Sequence, residues 1–156
     1  LPEALAGQID VSRKTMDRLA AYAALVEKWQ QRVNLVSAST SPDIWMGHIW
    51  DSAQLVPLVP AGTGRILDVG SGAGFPGLVL AALCDAELHL VESDQKKAVF
   101  LQTVIRETGI RAIVHNRRIE SSKFQYFFNI CNSTFHFRGQ RTKTKPRSLR
   151  GSISFD

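Results

Sequence analysis

The chain has 156 residues, 44% of them hydrophobic, enough for one domain with a core and too short for several. No apolar run approaches membrane-helix length, no secretory leader pattern opens the chain, and Cys84 and Cys131 stand too far apart for a C-x-x-C motif. These features exclude a disulfide scaffold and a cysteine metal centre, and they lead us to expect a reduced, cytoplasmic setting without a membrane partner. The net charge of +5 is unevenly placed: residues 1–120 carry 12 basic and 13 acidic side chains, residues 121–156 seven basic and one acidic. A charge-based argument for nucleic-acid binding therefore applies to the tail and not to the body.

Asp10 and Ser12 are candidate N-caps for a long helix through about Gln31, with a core-facing stripe at Leu19, Tyr22, Leu25, Val26 and Trp29. Ser41-Pro42-Asp43 predicts a second helix, Ser41 capping and Pro42 in the first turn, that runs to about Leu55. Pro57, Pro60, Gly62 and Gly64 then form a breaker-rich link. From Arg65 strands and helices alternate. Strand Arg65–Val69 precedes a helix at about Pro76–Leu83, and strand Glu87–Val91 precedes one at about Gln95–Thr108, stopped by Gly109. A third strand spans Arg111–Val114, and Phe124–Cys131 is a candidate fourth. The pattern predicts an α/β fold, a doubly wound parallel sheet of Rossmann-like type, incomplete, with a helical N-terminal extension. The expected divisions are 1–62, the extension; 63–131, the partial α/β domain continuing the same fold; and 132–156, a basic, disordered tail.

Between the first strand and its helix lies Gly70-Ser71-Gly72-Ala73-Gly74-Phe75-Pro76-Gly77. Strand, glycine loop and helix bring bare backbone up to a cofactor. A dinucleotide fingerprint would need its third glycine at Phe75, and a P-loop would need a following Lys. What is left is G-x-G-x-G after a strand containing Asp68, set against the alternative of a plain strand-to-helix turn. Glu92, 18 residues beyond Gly74, ends the second strand where a carboxylate accepts ribose hydroxyls. Its plainer alternative is a cap on the helix that follows. Gly70–Gly74, Glu92 and the stretch after Val114 fall on one sheet edge, the carboxyl ends of the strands, where ligands bind in such folds.

The glycine pattern resembles the nucleotide loop of S-adenosylmethionine-dependent methyltransferases. With Trp29–Ser37, Gly47-His48-Ile49-Trp50-Asp51-Ser52, Leu67–Gly77, Leu90–Lys97 and Asn116–Glu120, the chain resembles the small-subunit ribosomal RNA methyltransferase G family, also called the glucose-inhibited division protein B family, over roughly residues 10–120. The Phe-Pro-Gly ending is its most specific mark. The resemblance implies a cytoplasmic, monomeric enzyme that moves the methyl of S-adenosylmethionine to N7 of a guanine in 16S rRNA, free or in the small ribosomal subunit. It implies that Gly70, Gly72, Gly74 and Phe75 border the cofactor, that Glu92 holds its ribose, and that Ile119 and Glu120 border its adenine. It requires no metal and no catalytic side chain, since guanine N7 carries a free lone pair. His48 and Asp51, on one predicted helix face, then read as structural or substrate-positioning groups. Arg32, Arg117 and Arg118 are candidates for RNA phosphate contacts.

After Glu120 the family pattern is not found. The change of composition reads as an aberrant or truncated C-terminal part, which would leave the first strand with an unpaired edge unless the tail covers it. The alternative function is thus an inactive remnant that binds cofactor or RNA without catalysis. A nicotinamide-dependent oxidoreductase is a third reading, opposed by Phe75 and the helical N-terminal section.

Overall fold

A computed structural model describes residues 11–37 and 43–119 in full and the backbone of 128–131. Helix α1 spans Arg13–Gln30. Ser12 caps it by accepting from the Thr15 N–H at 3.2 Å. Asp10 lies outside the described residues. Leu19, Tyr22, Ala23 and Val26 form its buried stripe, with Leu25 and Trp29 packed at its margin. The turn after α1 is tied by one side chain: Gln30 Oε1 accepts from Leu35 N–H and Val36 N–H, both at 2.9 Å, and Gln30 Nε2 donates to the Val36 carbonyl.

The second predicted helix differs in form. Ser41 and Pro42 lie outside the described residues, and Asp43 performs the capping, accepting from Met46 N–H at 2.8 Å. Trp45–Trp50 is a wide π-helical turn, followed by the α-turn α2 (Asp51–Ala53) and a 3-10 turn at Val56–Leu58. Gly47, a poor helix former, sits inside the widened turn among bulky neighbours.

Strand β1 (Arg65–Val69) is followed by α3 (Gly77–Leu83), β2 (Glu87–Val91), α4 (Gln95–Thr108), β3 (Ala112–His115) and β4 (Phe128–Cys131). Helix α3 starts one residue later than expected because Pro76 occupies its N-cap, and the Phe75–Pro76 peptide is cis. Asp94 caps α4 through Lys96 and Lys97 N–H groups, and Gly109 ends it at φ +67°.

All strand pairs are parallel, in the order β3-β2-β1-β4. The expected free edge of β1 is covered by β4, Ile66 to Val69 standing opposite Phe128 to Cys131. Residues 124–127 of the predicted fourth strand lie outside the described part. The chain direction reverses across β1, with β2 and β3 on one side and β4 on the other, so a switch point lies at the carboxyl end of β1.

One sheet face carries Ile66, Asp68, Leu88 and Leu90, all fully buried. Helices α1, α3 and α4 share one hydrophobic core with that face, and it takes in Ile44, Ile49 and Ala53 of the extension. Alternate residues, Arg65, Glu87, His89, Ile113 and His115 among them, belong to the other face. Among the described residues no helix is long and apolar enough to cross a membrane.

Helix α3 approaches the sheet most closely at Gly77. A Cβ there would run into the Asp68 carboxylate and come within 2.6 Å of Leu90 Cδ2. Gly77→Ala is expected to cost about 1–3 kcal/mol by overpacking. Gly64→Ala, whose Cβ meets nothing within 4 Å, is the control. Urea midpoints of the two variants check the difference.

Candidate cofactor-binding edge

The glycine loop leaves β1 with Gly70, Gly72 and Gly74 at φ +73°, +56° and +91°. Its first two amides are tied to the neighbouring strand, Gly70 and Ser71 N–H donating to the Val91 carbonyl at 2.9 and 3.1 Å. Glu92 then staples the loop to the exit of β2. Its Oε2 accepts from Gly72 N–H at 2.8 Å and its Oε1 from Asp94 N–H at 2.7 Å. Glu92 is only 8% exposed, and Asn116 Nδ2 holds its backbone carbonyl at 2.9 Å. Each carboxylate oxygen keeps a second lone-pair direction, so the staple leaves acceptor capacity for a ligand hydroxyl. The helix after Glu92 is capped by Asp94, not by Glu92.

The other end of the loop is packed hard. Tyr22 on α1 donates its hydroxyl to the Ala73 carbonyl at 2.6 Å, and its ring lies 5.0 Å from Phe75. His48 stacks on Phe75 at 4.8 Å and 22°. A Cβ at Gly74 would meet Leu78 Cδ1 at 2.5 Å, the Tyr22 hydroxyl at 2.9 Å and Leu101 Cδ2 at 3.0 Å. Burial pushes the Tyr22 hydroxyl well above its usual pKa, with the Asp68 charge adding to the rise, so it stays a donor. Burial lowers the His48 pKa against the pull of Asp51.

Asp68 lies beneath the loop, fully buried, and neither carboxylate oxygen has a hydrogen bond of regular geometry. Burial pushes its pKa up to about 7; the Ser71 hydroxyl and the Gly77 N–H pull against that rise, and the Glu92 charge adds to it.

An open cleft of about 280 Å³ lies at the carboxyl ends of β1 and β2, lined by Val69, Gly70, Val91, Ser93, Arg117, Arg118 and Ile119. The structure thus brings Gly70 and Ile119 to one cleft; Glu92 and Gly72 are bonded to each other and are not among its lining residues, though Glu92 stands between Val91 and Ser93, which are. Gly74 and Phe75 sit instead in the packed end of the loop, against α1 and the π-helical turn. Glu120 lies outside the described residues. Sequence reasoning placed Tyr22 only in a core stripe, and missed its bond to Ala73; stripe spacing marks burial but not a hydroxyl's partner. Ser93 and Asn116 fell within the segments that carry the family resemblance but were given no role of their own. Among the described residues no group of three His, Cys, Asp or Glu side chains is placed to hold a metal ion.

A parallel α/β sheet with a glycine loop at its switch point and an acid closing the next strand defines a nucleotide-binding fold of the Rossmann-like class. Residues 15–135 match the rRNA small subunit methyltransferase G (GidB) family, and the chain belongs to that family. The match runs past Glu120 and takes in β4, beyond the limit that the composition change suggested. Ribosomal RNA small subunit methyltransferase G of Rhodospirillum rubrum is 52% identical over 120 residues, 77% of this chain and 60% of that protein. That of Rhodospirillum centenum is 57% identical over 113 residues, 72% and 52% respectively. That of Paramagnetospirillum magneticum is 52% identical over 119 residues, 76% and 58%. The chain therefore spans little more than half the length of these relatives.

Two outcomes follow from the loop. Tyr22→Phe leaves the buried Ala73 carbonyl without its donor and is expected to cost about 1–3 kcal/mol in urea unfolding. Asp68 has a folded pKa near 7 against 3.8 when exposed, so its contribution to stability is fully present below about pH 4 and is lost as pH rises through 7. The loss is on the order of 4 kcal/mol at 1.36 kcal/mol per pKa unit. Asp68→Asn removes this slope, and the difference between wild type and variant in unfolding midpoints from pH 4 to 8 checks it.

Proposed function

We propose that this chain binds S-adenosylmethionine at the carboxyl edge of its sheet and serves methyl transfer to N7 of a guanine in 16S rRNA. The observation that carries the reading is Glu92: a nearly buried carboxylate, fixed by two backbone amides, standing in the chain between Val91 and Ser93, which line the cleft with Gly70 and Ile119. Its spare lone pairs suit two ribose hydroxyls. Gly70 fits a close ligand, since the space where its Cβ would stand is open to 4 Å. Ile119 supplies an apolar wall for an adenine, with Glu120 beside it in sequence. Gly72 acts through its bond to Glu92, while Gly74 and Phe75 act by holding the loop against α1 and His48.

The bound cofactor supplies an activated methyl on a sulfonium. The chain's own task is alignment. Guanine N7 has a free lone pair, so no side chain has to remove a proton, and positive charge moves from sulfur to base with little new charge formed. Orientation alone can then supply up to ~7–11 kcal/mol of the barrier lowering. Arg117 and Arg118 border the cleft and suit phosphate contacts of an RNA acceptor. The family's relatives are named for the small ribosomal subunit's RNA, which supports that RNA or the particle as the partner in this reading, with the cytoplasm as its place of action. A monomer suffices for this reading.

Calorimetric titration of the chain with S-adenosylhomocysteine is expected to show binding, and NAD none. Glu92→Ala is expected to weaken that binding about tenfold or more, the loss of two charge-assisted acceptor contacts. Methylation of undermethylated small subunits then tests transfer. Binding without transfer would mark a form that holds cofactor or RNA without catalysis.

A further inference from the structure

The sheet face opposite the helices carries a chain of three side chains that the cofactor reading does not use. Glu87 Oε1 lies 2.7 Å from His89 Nε2, and His89 Nδ1 lies 2.8 Å from His115 Nε2. The two imidazoles are within 6° of parallel. Rings lying face to face cannot bring nitrogens that close, so this is an in-plane, edge-to-edge hydrogen bond. The Glu87 carboxylate only accepts, which puts the proton of neutral His89 on Nε2 and makes its Nδ1 an acceptor. His115 Nε2–H therefore donates to His89.

The chain ends at the proposed cofactor edge. His115 stands opposite Val91, which lines the cleft. The His115 carbonyl accepts from Glu92 N–H at 3.0 Å and from Arg117 N–H at 3.1 Å. One residue thus holds both the base of the Glu92 staple and the start of the wall formed by Arg117, Arg118 and Ile119. We propose that Glu87, His89 and His115 form a proton-dependent brace in which His89 and His115 are positioning residues for the wall of the cofactor cleft.

The proton count sets its range. The pair has four ring nitrogens and holds two protons when neutral. A third proton leaves the hydrogen bond in place, since one of the two facing nitrogens still accepts. A fourth would put donors on both facing nitrogens and break it. Among the described residues the charges facing the pair are Glu87, whose carboxylate accepts from His89 Nε2, Arg65, which lies 3.5 Å from Glu87, and Arg117, which opposes protonation of His115. Burial also lowers the His115 pKa. The fourth proton therefore arrives only in acid, and the brace is intact near neutral pH.

The brace rests on the cofactor reading for its role but not for its existence. Imidazole nitrogen NMR of the full chain without ligand is expected to show His89 as the Nε2–H tautomer and the two rings titrating as a coupled pair. Independent titration of the rings, or the other tautomer, would overturn the brace. Calorimetry with S-adenosylhomocysteine is expected to show wild-type affinity falling about tenfold between pH 7.5 and 5. His89→Phe, checked for folding by its amide spectrum, is expected to be weakened at pH 7.5 and to lose less in acid. Titration of Asp68 is common to both proteins and cancels in the comparison. Equal acid losses in the two would overturn the positioning role. Absence of binding at every pH would overturn the cofactor reading and the role with it, while the NMR result separately decides whether the brace exists. Should His89→Phe fail to fold, His115→Phe takes its place in the same comparison.

Discussion

The close approach of helix α3 to strands β1 and β2 at Gly77 is the constraint on which the other features depend. With no side chain there, the start of the helix comes down onto Asp68 and Leu90. The chain between β1 and α3 must then turn within seven residues, 70 to 76, and it does so with three positive-φ glycines. A loop this tight has little to pack internally. Its conformation is set from outside, by Tyr22 and His48 at one end and Glu92 at the other. The N-terminal helices are therefore part of the site's scaffold. Their core is the same core that covers the sheet.

Two carboxylates serve the loop in opposite ways. Asp68 is fully buried and lacks a well-formed hydrogen bond, so its neutral form is favoured until about pH 7. Glu92, 8% exposed, receives two backbone N–H groups, which suit an ionised acceptor. The Glu92 charge adds to the rise of the Asp68 pKa, and Asp68 fills the space below Gly77.

Much of this was legible in the chain. The bounds of β1, β2 and α4 follow from apolar runs closed by Gly70, by Glu92 and by the Asp94 and Gly109 caps. Phe75 excludes the dinucleotide fingerprint, the missing Lys excludes the P-loop, and the Phe-Pro-Gly ending marked the family. The widened turn at Trp45–Trp50 was not legible, since periodicity does not separate a π-helical turn from an α-helical one over six residues. Nor was the pairing of β4 with β1, because parallel partners distant in sequence leave no local mark. The placement of Phe75 was only half legible. The family resemblance put it beside the cofactor, yet its ring is taken up by Tyr22 and His48.

The alternation of β2 explains why one short strand serves both faces. Leu88 and Leu90 face the helices and are fully buried. Glu87, His89 and Val91 take the other side, and period two alone places the acid and the imidazole together. Parallel register then sets β3 so that His115 falls opposite Val91, one strand from the cleft. A slip of one residue in β3 would turn His115 onto the helix face and place Val114 opposite Val91, on the other face. The apolar demand of the covered face thus sets the register, and the register carries the polar chain to the edge where Glu92 and Arg117 leave the sheet.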